Sequence, residues 1–566
     1  MAFPLAGWAS QRLIESTGRT AISSGDYLSF IFSFQGLGML LVGLALLAVM
    51  VGLDLNAFII QGRRLAAGQE PLKILPLIKE SLGALRRFFH PLALLLVVQL
   101  VVTVPLAGAG LTLPQLGSFK IPNFITWVID QNAFYTTIYL VVTSLMLVLN
   151  FLLAFTFPAV LVDGLSLPAA MKRSIQLVKG NFFFVISRTF GANLLAGGLL
   201  VLLLILFYGI FTLAPLAWAE HELAQRFFLV LGTLGVALLG AIFTFLALPY
   251  QTFVLTSIYS KLEGKETSNY RRQGKAPWFR RSLLTGLLAG ALALTSLVAA
   301  FNFDTFFRNY KDIEIVAHRA GGDLAAENSV AGLVAAADRN IPWLETDIQR
   351  AGDGSYIVNH DDTFSRVSSN SSGDPRQMTL EEIRQVQLKD SFDPSRPDQP
   401  VATFEDFLEA AQTNNIGVYW ELKGSTADEK MVDDLVARLK EANFLDRSLL
   451  ISLDYKLIQY IEEKYPEVET GYLFFFSVGS SERLVGDYLI MEEAEATDAR
   501  IARIHAAGKK AIVWTVNSRE SAEKFGLTQV DGIITDFPLL VEEVLAERSE
   551  KSDAEAITDF FFAAEE

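Results

Sequence analysis

Long uninterrupted apolar runs fill the first half of the chain, and short apolar runs alternating with amphipathic stretches fill the second. Six runs, near Ser29–Leu53, Leu92–Gly110, Tyr135–Ala159, Phe190–Ala214, Phe227–Tyr250 and Ser282–Phe301, each reach the roughly 20 residues that a bilayer-crossing helix needs. A single such run is ordinary for a buried core helix. Six predict a multi-span α-helical membrane domain over residues 1–302. Loop charge orients it. The first, third and fifth loops hold the cations, among them Arg63, Arg64, Arg86, Arg87, Lys172, Arg173, Lys179, Lys261, Lys265, Arg280 and Arg281. The second and fourth offer only Lys120 and Arg226. The odd loops are then cytoplasmic, and whatever follows the sixth span is extracytoplasmic. Two loops carry amphipathic stretches, Leu72–Phe89 and Leu167–Phe184, of the kind that lies in the headgroup plane or simply connects spans.

After the linker Asn302–Lys311 the period changes. Nine strand-like runs (IEIVAH, WLETDIQ, YIVNHD, VYWELK, SLLISL, TGYLFF, DYLIM, KAIVWTV, DGIITD) alternate with helical stretches such as Val330–Arg339, Phe404–Thr413, Asp428–Ala442 and Ala496–Ala507. That alternation predicts a (β/α)8 TIM barrel over residues 312–548, followed by an acidic tail, 549–566, expected to be disordered. Nine runs exceed eight. Arg350–Ser355 is too short for a crossover helix, so LETDIQ and YIVNHD should form an antiparallel hairpin turning near Asp353-Gly354. Such a turn sets His360 opposite Asp347 or Glu345. The hairpin explains part of the excess, and TGYLFF or DYLIM is expected to lie outside the barrel. The polar segment Thr363–Pro400 reads as an insertion or lid.

Composition agrees with a divided chain. Of 566 residues 51% are hydrophobic, yet the net charge is −15, which requires apolar and acidic residues to be segregated. Cysteine is absent, which excludes disulfides and thiolate ligands, and the acidic balance gives no support to nucleic-acid binding.

The chemistry gathers at strand ends. His318-Arg319, Glu421 and Lys423, Trp514 and Asn517, and Asp536 each close a run, and the C-terminal ends of barrel strands meet at one rim. Glu345 and Asp347 alternate onto one strand face. Glu345, Asp347 and Glu421 offer oxygen ligands only, suited to a hard cation such as Mg²⁺ or Ca²⁺. His318 and His360 suit general acid and base, and Arg319 and Lys423 can hold phosphate charge. His505, on a helical stretch, is expected to be structural.

The order His318-Arg319, Glu327-Asn328, Glu345/Asp347, His360-Asp361, Glu421/Lys423, Trp514–Asn517 and Thr535–Pro538 resembles the glycerophosphodiester phosphodiesterase family, and the multi-span half resembles the membrane domain of some bacterial members. The resemblance implies a divalent metal on Glu345, Asp347 and Glu421, with His318 and His360 as the acid–base pair. It further implies phosphate binding by Arg319 and Lys423, and a substrate pocket including Glu327 and Trp514. The implied reaction hydrolyses a glycerophosphodiester, or a lipid-linked or polymeric relative, to sn-glycerol 3-phosphate and an alcohol at the cell membrane. Two positions depart from the family pattern, Ala320 and Ala326 standing where glycine and proline are usual. The alternatives are a phosphoinositide-cleaving phospholipase type of barrel that releases a cyclic phosphate, and a non-catalytic receptor or transporter that keeps the barrel as a binding module. Product identity separates the first from the hydrolase. Loss of a histidine would have marked the second.

Overall fold

The computed structural model describes residues 2–24, 27–88, 132–265 and 278–562, with 92, 125, 126 and 129. The chain divides into two compact units, Gly38–Ile121 with Ile125–Phe307, and Arg308–Glu566 with Met1–Leu37 and Pro122–Phe124.

In the helical unit, Ala133–Asp163, Phe182–Leu216 and Glu222–Leu262 are long and apolar enough to cross a bilayer. The runs expected as first and sixth spans are helical over Phe34–Ala66 and Trp278–Phe301, and the expected second span lies outside the described residues apart from Leu92. Leu195, Leu199, Ile205 and Phe245 are exposed on these helices, a surface that water tolerates poorly and lipid suits. The two amphipathic loops behave differently. The helix Leu167–Gly180 buries Leu167, Ala170, Leu177 and Val178 in an apolar cluster with Phe155, Val160 and Tyr259, so its apolar face is covered by protein. Ile74–Leu85 leaves Ile74 and Leu75 exposed, as a headgroup-plane helix would.

In the second unit eight parallel strands close on themselves. They are β1 (Glu314–Ala317), β2 (Trp343–Arg350), β3 (Gly417–Leu422), β4 (Ser448–Ser452), β5 (Thr470–Phe474), β6 (Tyr488–Glu492), β7 (Lys510–Trp514) and β8 (Gly532–Thr535). Each pairs with its neighbours in sequence, and β8 returns to β1. TGYLFF and DYLIM are therefore both barrel strands, contrary to the expectation above, and the ninth run is the hairpin's return strand Tyr356–Val358 alone. Because strands alternate faces, Val316, Tyr419, Ile451, Leu473, Ile490, Ile512 and Ile534 fill the barrel interior. The intervening residues, such as Leu344, Val418 and Trp420, pack outward under the helices. Ser329, Thr403, Asp428, Asp454, Thr497 and Ser518 cap those helices with side-chain oxygens, satisfying first-turn N–H groups.

The hairpin register differs from both expected ones. Ile348 faces Val358 and Arg350 faces Tyr356, which puts Asn359, not His360, across from Asp347. The turn is a five-residue loop, Ala351–Ser355. The Gly352 N–H donates to the carbonyls of Pro375 (3.1 Å) and Met378 (2.9 Å), a partner that local sequence does not reveal. Thr363–Pro400 is a packed insertion with its own core of Phe364, Val367, Ile383, Val386 and Leu388 against Ile357. Its Phe392 ring lies 5.5 Å from Phe537, beyond β8. The described part of the tail, through Phe562, is folded rather than disordered. Asp553–Phe562 is a helix with Ala556 and Ile557 buried, and Arg308 pairs with Asp553 at 2.7 Å.

At the opposite end of the barrel Asp531 accepts from Lys311 Nζ (2.5 Å), the Ala511 N–H (2.7 Å) and His505 Nε2 (2.8 Å). Burial alone would raise its pKa, but these donors outweigh it and the net shift is downward. A depressed carboxylate pKa contributes stability above the unfolded value of about 3.9 and loses it as pH falls through the folded value. Asp531→Asn is expected to destabilise the protein by about 1–3 kcal/mol at neutral pH. It should also flatten the acid side of the stability profile, as followed by thermal unfolding from pH 7 to pH 3.

Candidate active site

The inward positions above the apolar interior carry the charge. Since Leu344 and Ile348 face outward on β2, Glu345 and Asp347 face in, and the same alternation turns Glu421 inward on β3. The parallel pairing sets Asp347 beside Glu421. Glu345, Asp347 and Glu421 are 3%, 1% and 6% exposed, and each offers an oxygen within 4.8 Å of the others. Lys423 Nζ lies 3.1 Å from both Glu421 oxygens and 3.3 Å from Asp347 Oδ1.

Closure of β8 onto β1 brings together His318 and Asp536, the residues that follow those strands. His318 Nδ1 is 2.6 Å from Asp536 Oδ1. Asn517 fixes the aspartate by donating to Oδ2 (2.6 Å) and accepting from its N–H (2.9 Å). His360 Nδ1 is 2.6 Å from Asp361 Oδ1, and Gln349 Nε2 donates to both of their carbonyls, at 2.9 and 3.0 Å. A carboxylate at Nδ1 selects the Nδ1–H form of each ring, a tautomer assigned from the network, and leaves Nε2 for reacting atoms. The Nε2 of His318 looks toward Glu345 at 3.8 Å.

Burial by itself lowers the pKa of both rings. At His318 the charge and hydrogen bond of Asp536 outweigh it, and the net shift is upward. At His360 burial prevails and the shift is downward. Among the carboxylates, burial and the charge of Asp347 push Glu345 up, and burial also raises Glu421 against the pull of Lys423. Burial would raise Asp347 as well, but Lys423, His360 and Arg319 carry it well below the ordinary range.

A chain of ion pairs and hydrogen bonds runs between the two histidines. The Arg319 N–H donates to Glu345 Oε2 at 2.9 Å, and its guanidinium meets both Glu327 oxygens at 3.3 Å. Arg366 grips Glu327 bidentately at 2.7 Å and reaches Asp361 at 2.8 and 3.1 Å. Glu327 is thus the anchor of two arginines. Trp514 faces inward on β7 against the interior cluster, and its indole N–H donates to the Ile490 carbonyl at 3.3 Å. Arg319 (φ 48°) and Ala320 (φ 73°) are both left-handed, the conformation that favours glycine at the second position.

Sequence reasoning had Asp536, Asp361 and Asn328 in view but did not assign them partners, and it passed over Arg366 as part of a polar loop. Asn328, 2% exposed, donates from Nδ2 to Asp347 Oδ2 (2.8 Å) and accepts from Thr346 Oγ1 (2.8 Å). Asn328→Ala is expected to lower stability by about 1–3 kcal/mol through the unsatisfied partners it leaves, read as a lowered Tm.

The donor set fits a hard divalent cation. All three carboxylates offer oxygen, all are buried, and Glu345 Oε1 has no hydrogen-bond partner among the described residues, a condition that a bound cation would relieve.

A parallel eight-stranded barrel with buried carboxylates and two carboxylate-held histidines at its rim defines a hydrolase-type site on a TIM barrel. The model for the membrane domain of glycerophosphoryl diester phosphodiesterase matches residues 1–292, and that for the glycerophosphoryl diester phosphodiesterase family matches residues 318–540. The chain belongs to this phosphodiesterase family, in its form with a membrane domain. It is similar to the glycerophosphodiester phosphodiesterase of Caldanaerobacter subterraneus subsp. tengcongensis, 26% identical over 40% of this chain and 94% of that one. It is also similar to the enzyme of the same name from Bacillus altitudinis, 24% identical over 40% and 95%. Among solved structures, an Oleispira antarctica phosphodiesterase in complex with the product sn-glycerol-3-phosphate is 25% identical, with a TM-score of 0.39 over 41% of this chain and 96% of that one.

Proposed function

We propose that the protein is a membrane-anchored, metal-dependent enzyme that hydrolyses glycerophosphodiesters to sn-glycerol 3-phosphate and an alcohol. Its helical domain crosses the membrane several times and holds the barrel on the extracytoplasmic side, where lipid-derived or lipid-linked diesters are within reach. The observation that carries the reading is the pair of histidines, each held at Nδ1 by an aspartate at 2.6 Å, around three buried carboxylates.

Glu345, Asp347 and Glu421 would hold Mg²⁺ or Ca²⁺, which when bound neutralises phosphate charge. Arg319 and Lys423 orient the phosphate, the first with a planar fork and the second as a point charge. One histidine takes a proton at Nε2 from the attacking water as its oxygen bonds to phosphorus, and the other gives a proton to the alkoxide whose P–O bond breaks. Asp536 and Asp361 keep each ring in the tautomer that this exchange requires. Glu327 keeps Arg319 and Arg366 in place, and the insertion around Phe392 shields part of the rim from water.

The test is release of glycerol 3-phosphate from glycerophosphodiesters by the purified full-length protein, with and without EDTA. Release that EDTA abolishes and Mg²⁺ or Ca²⁺ restores is the expected result. A cyclic phosphate as the final product would refute hydrolysis to the monoester.

A further inference from the structure

Seven of the eight barrel strands are followed by a helix, from Val330–Asp338 after β1 to Pro538–Glu547 after β8. β5 is the exception. Between Phe475 and Asp487 the chain makes only a short strand, Ser477–Gly479, and one 3-10 turn, Ser481–Arg483. Without a helix the outer face of β5 should be bare, yet Tyr472 and Phe474 are fully buried.

The cover comes from the other end of the chain. The helix Ala2–Glu15 leads to a strand, Ala21–Ser23, that pairs antiparallel with Ser477–Gly479, Ile22 opposite Val478. The ladder continues with the Ser24 N–H on the Phe476 carbonyl (3.0 Å) and the Ser480 N–H on the Thr20 carbonyl (3.3 Å). Ala21 is part of the barrel's own outer core, and Ser23 Oγ shares a hydrogen bond with the Tyr472 hydroxyl. Gly479 has φ +105°, and a Cβ there would lie 3.1 Å from both Gln11 Oε1 and the Thr20 carbonyl, so the close approach requires glycine.

We propose that residues 2–24 stand in for the missing fifth helix and are a structural part of the catalytic unit. The strand they pair with leaves the C-terminal end of β5, so the segment also fixes a loop at the rim of the candidate site. A second consequence rests on the membrane-spanning reading above. Backbone pairing needs both strands on one side of the bilayer, so the chain between them crosses an even number of times. The six spans expected from the sequence satisfy that parity.

The chain has no cysteine, so engineered thiols are the only ones present. Residues directly opposite in an antiparallel ladder have Cα atoms about 4.5–5.5 Å apart, within the range a disulfide accepts. In full-length Ile22→Cys/Val478→Cys protein in membranes, mild oxidation is expected to remove both titratable thiols without forming dimers. Either single variant should keep its thiol. Two persistent thiols in enzyme that still cleaves substrate would overturn the proposal. An independent arm labels Ser16→Cys and Lys456→Cys, both exposed positions, with a membrane-impermeant maleimide in intact cells. Labelling from the same side supports the proposal, and labelling from opposite sides overturns it. Lys172→Cys, on the third loop, separates the two readings. If it reacts along with the other two, the membrane-crossing reading fails, while disulfide formation still decides the strand pairing.

Discussion

His318→Ala is expected to lower the rate of glycerophosphodiester cleavage between about 100- and 10,000-fold, the range that a positioned proton carrier contributes, with His360→Ala falling in the same range. The effect should lie in kcat more than in KM, because the proposed phosphate ligands Arg319 and Lys423 are left unchanged. The double variant should be little worse than either single one, since removing one partner already breaks the relay in which both act. Asp536→Asn is expected to cost about 10- to 100-fold. The amide keeps the shape of the carboxylate at 2.6 Å from Nδ1, but it no longer specifies which ring nitrogen carries the proton. Stability should move far less. Asn517 continues to bond Asp536 after the imidazole is gone, so His318→Ala is expected to lose only about 1–2 kcal/mol. Paired measurements of kcat and Tm separate the two effects. A His318→Ala enzyme retaining more than a tenth of wild-type kcat would show that the ring moves no proton in the slow step.

The inward placement of Glu345, Asp347 and Glu421 was legible because it depends only on alternation within a strand, and the outward residues Leu344, Ile348, Val418 and Trp420 have the apolar pattern that enforces it. Convergence of His318 and Asp536 was legible as a shared rim. Their hydrogen bond was not, because it depends on closure of β8 onto β1 across 218 residues. The hairpin shows the limit in a small space. Gly352 in its turn is held by carbonyls of Pro375 and Met378, and a two-residue turn drawn without them puts His360 opposite the wrong side chain. Arg366 sat in a segment whose serines, prolines and charges read as solvated loop, although its core residues, Phe364, Val367 and Ile383, are spaced with no helical or strand period to betray them. The role of residues 2–24 left even less trace. Ala21-Ile22-Ser23 is an unremarkable tripeptide, and only the absence of a helix after β5, itself visible as the short interval between TGYLFF and DYLIM, hinted that something else must cover that strand.

Adding Mg²⁺ or Ca²⁺ to chelated protein is expected to raise Tm, and Asp347→Asn to abolish that rise along with activity. Three carboxylates whose oxygens lie within 4.8 Å repel one another in a buried site, and burial together with that repulsion raises the pKa of Glu345. Lys423 and Arg319 relieve it only in part, chiefly at Asp347. A divalent cation relieves the remainder in the folded state and finds no such cluster in the unfolded chain, so binding appears directly as stability. At a hundredfold excess over Kd the gain is about 2.7 kcal/mol, or roughly 5–11 °C for a domain of this size. Because Glu345 must give up its proton to serve as a ligand, metal binding should release protons and weaken as pH falls. Asp347→Asn removes the carboxylate that stays charged most readily and that Asn328 and Lys423 hold in place, so the remaining pair should no longer retain the ion. Its Tm should then be the same with EDTA as with excess metal, while His318→Ala, with the three carboxylates intact, should keep the full metal-dependent shift. A wild-type Tm indifferent to both cations would mean that Lys423 and Arg319 suffice to balance the three acids, and the metal-dependent reading of the site would fall.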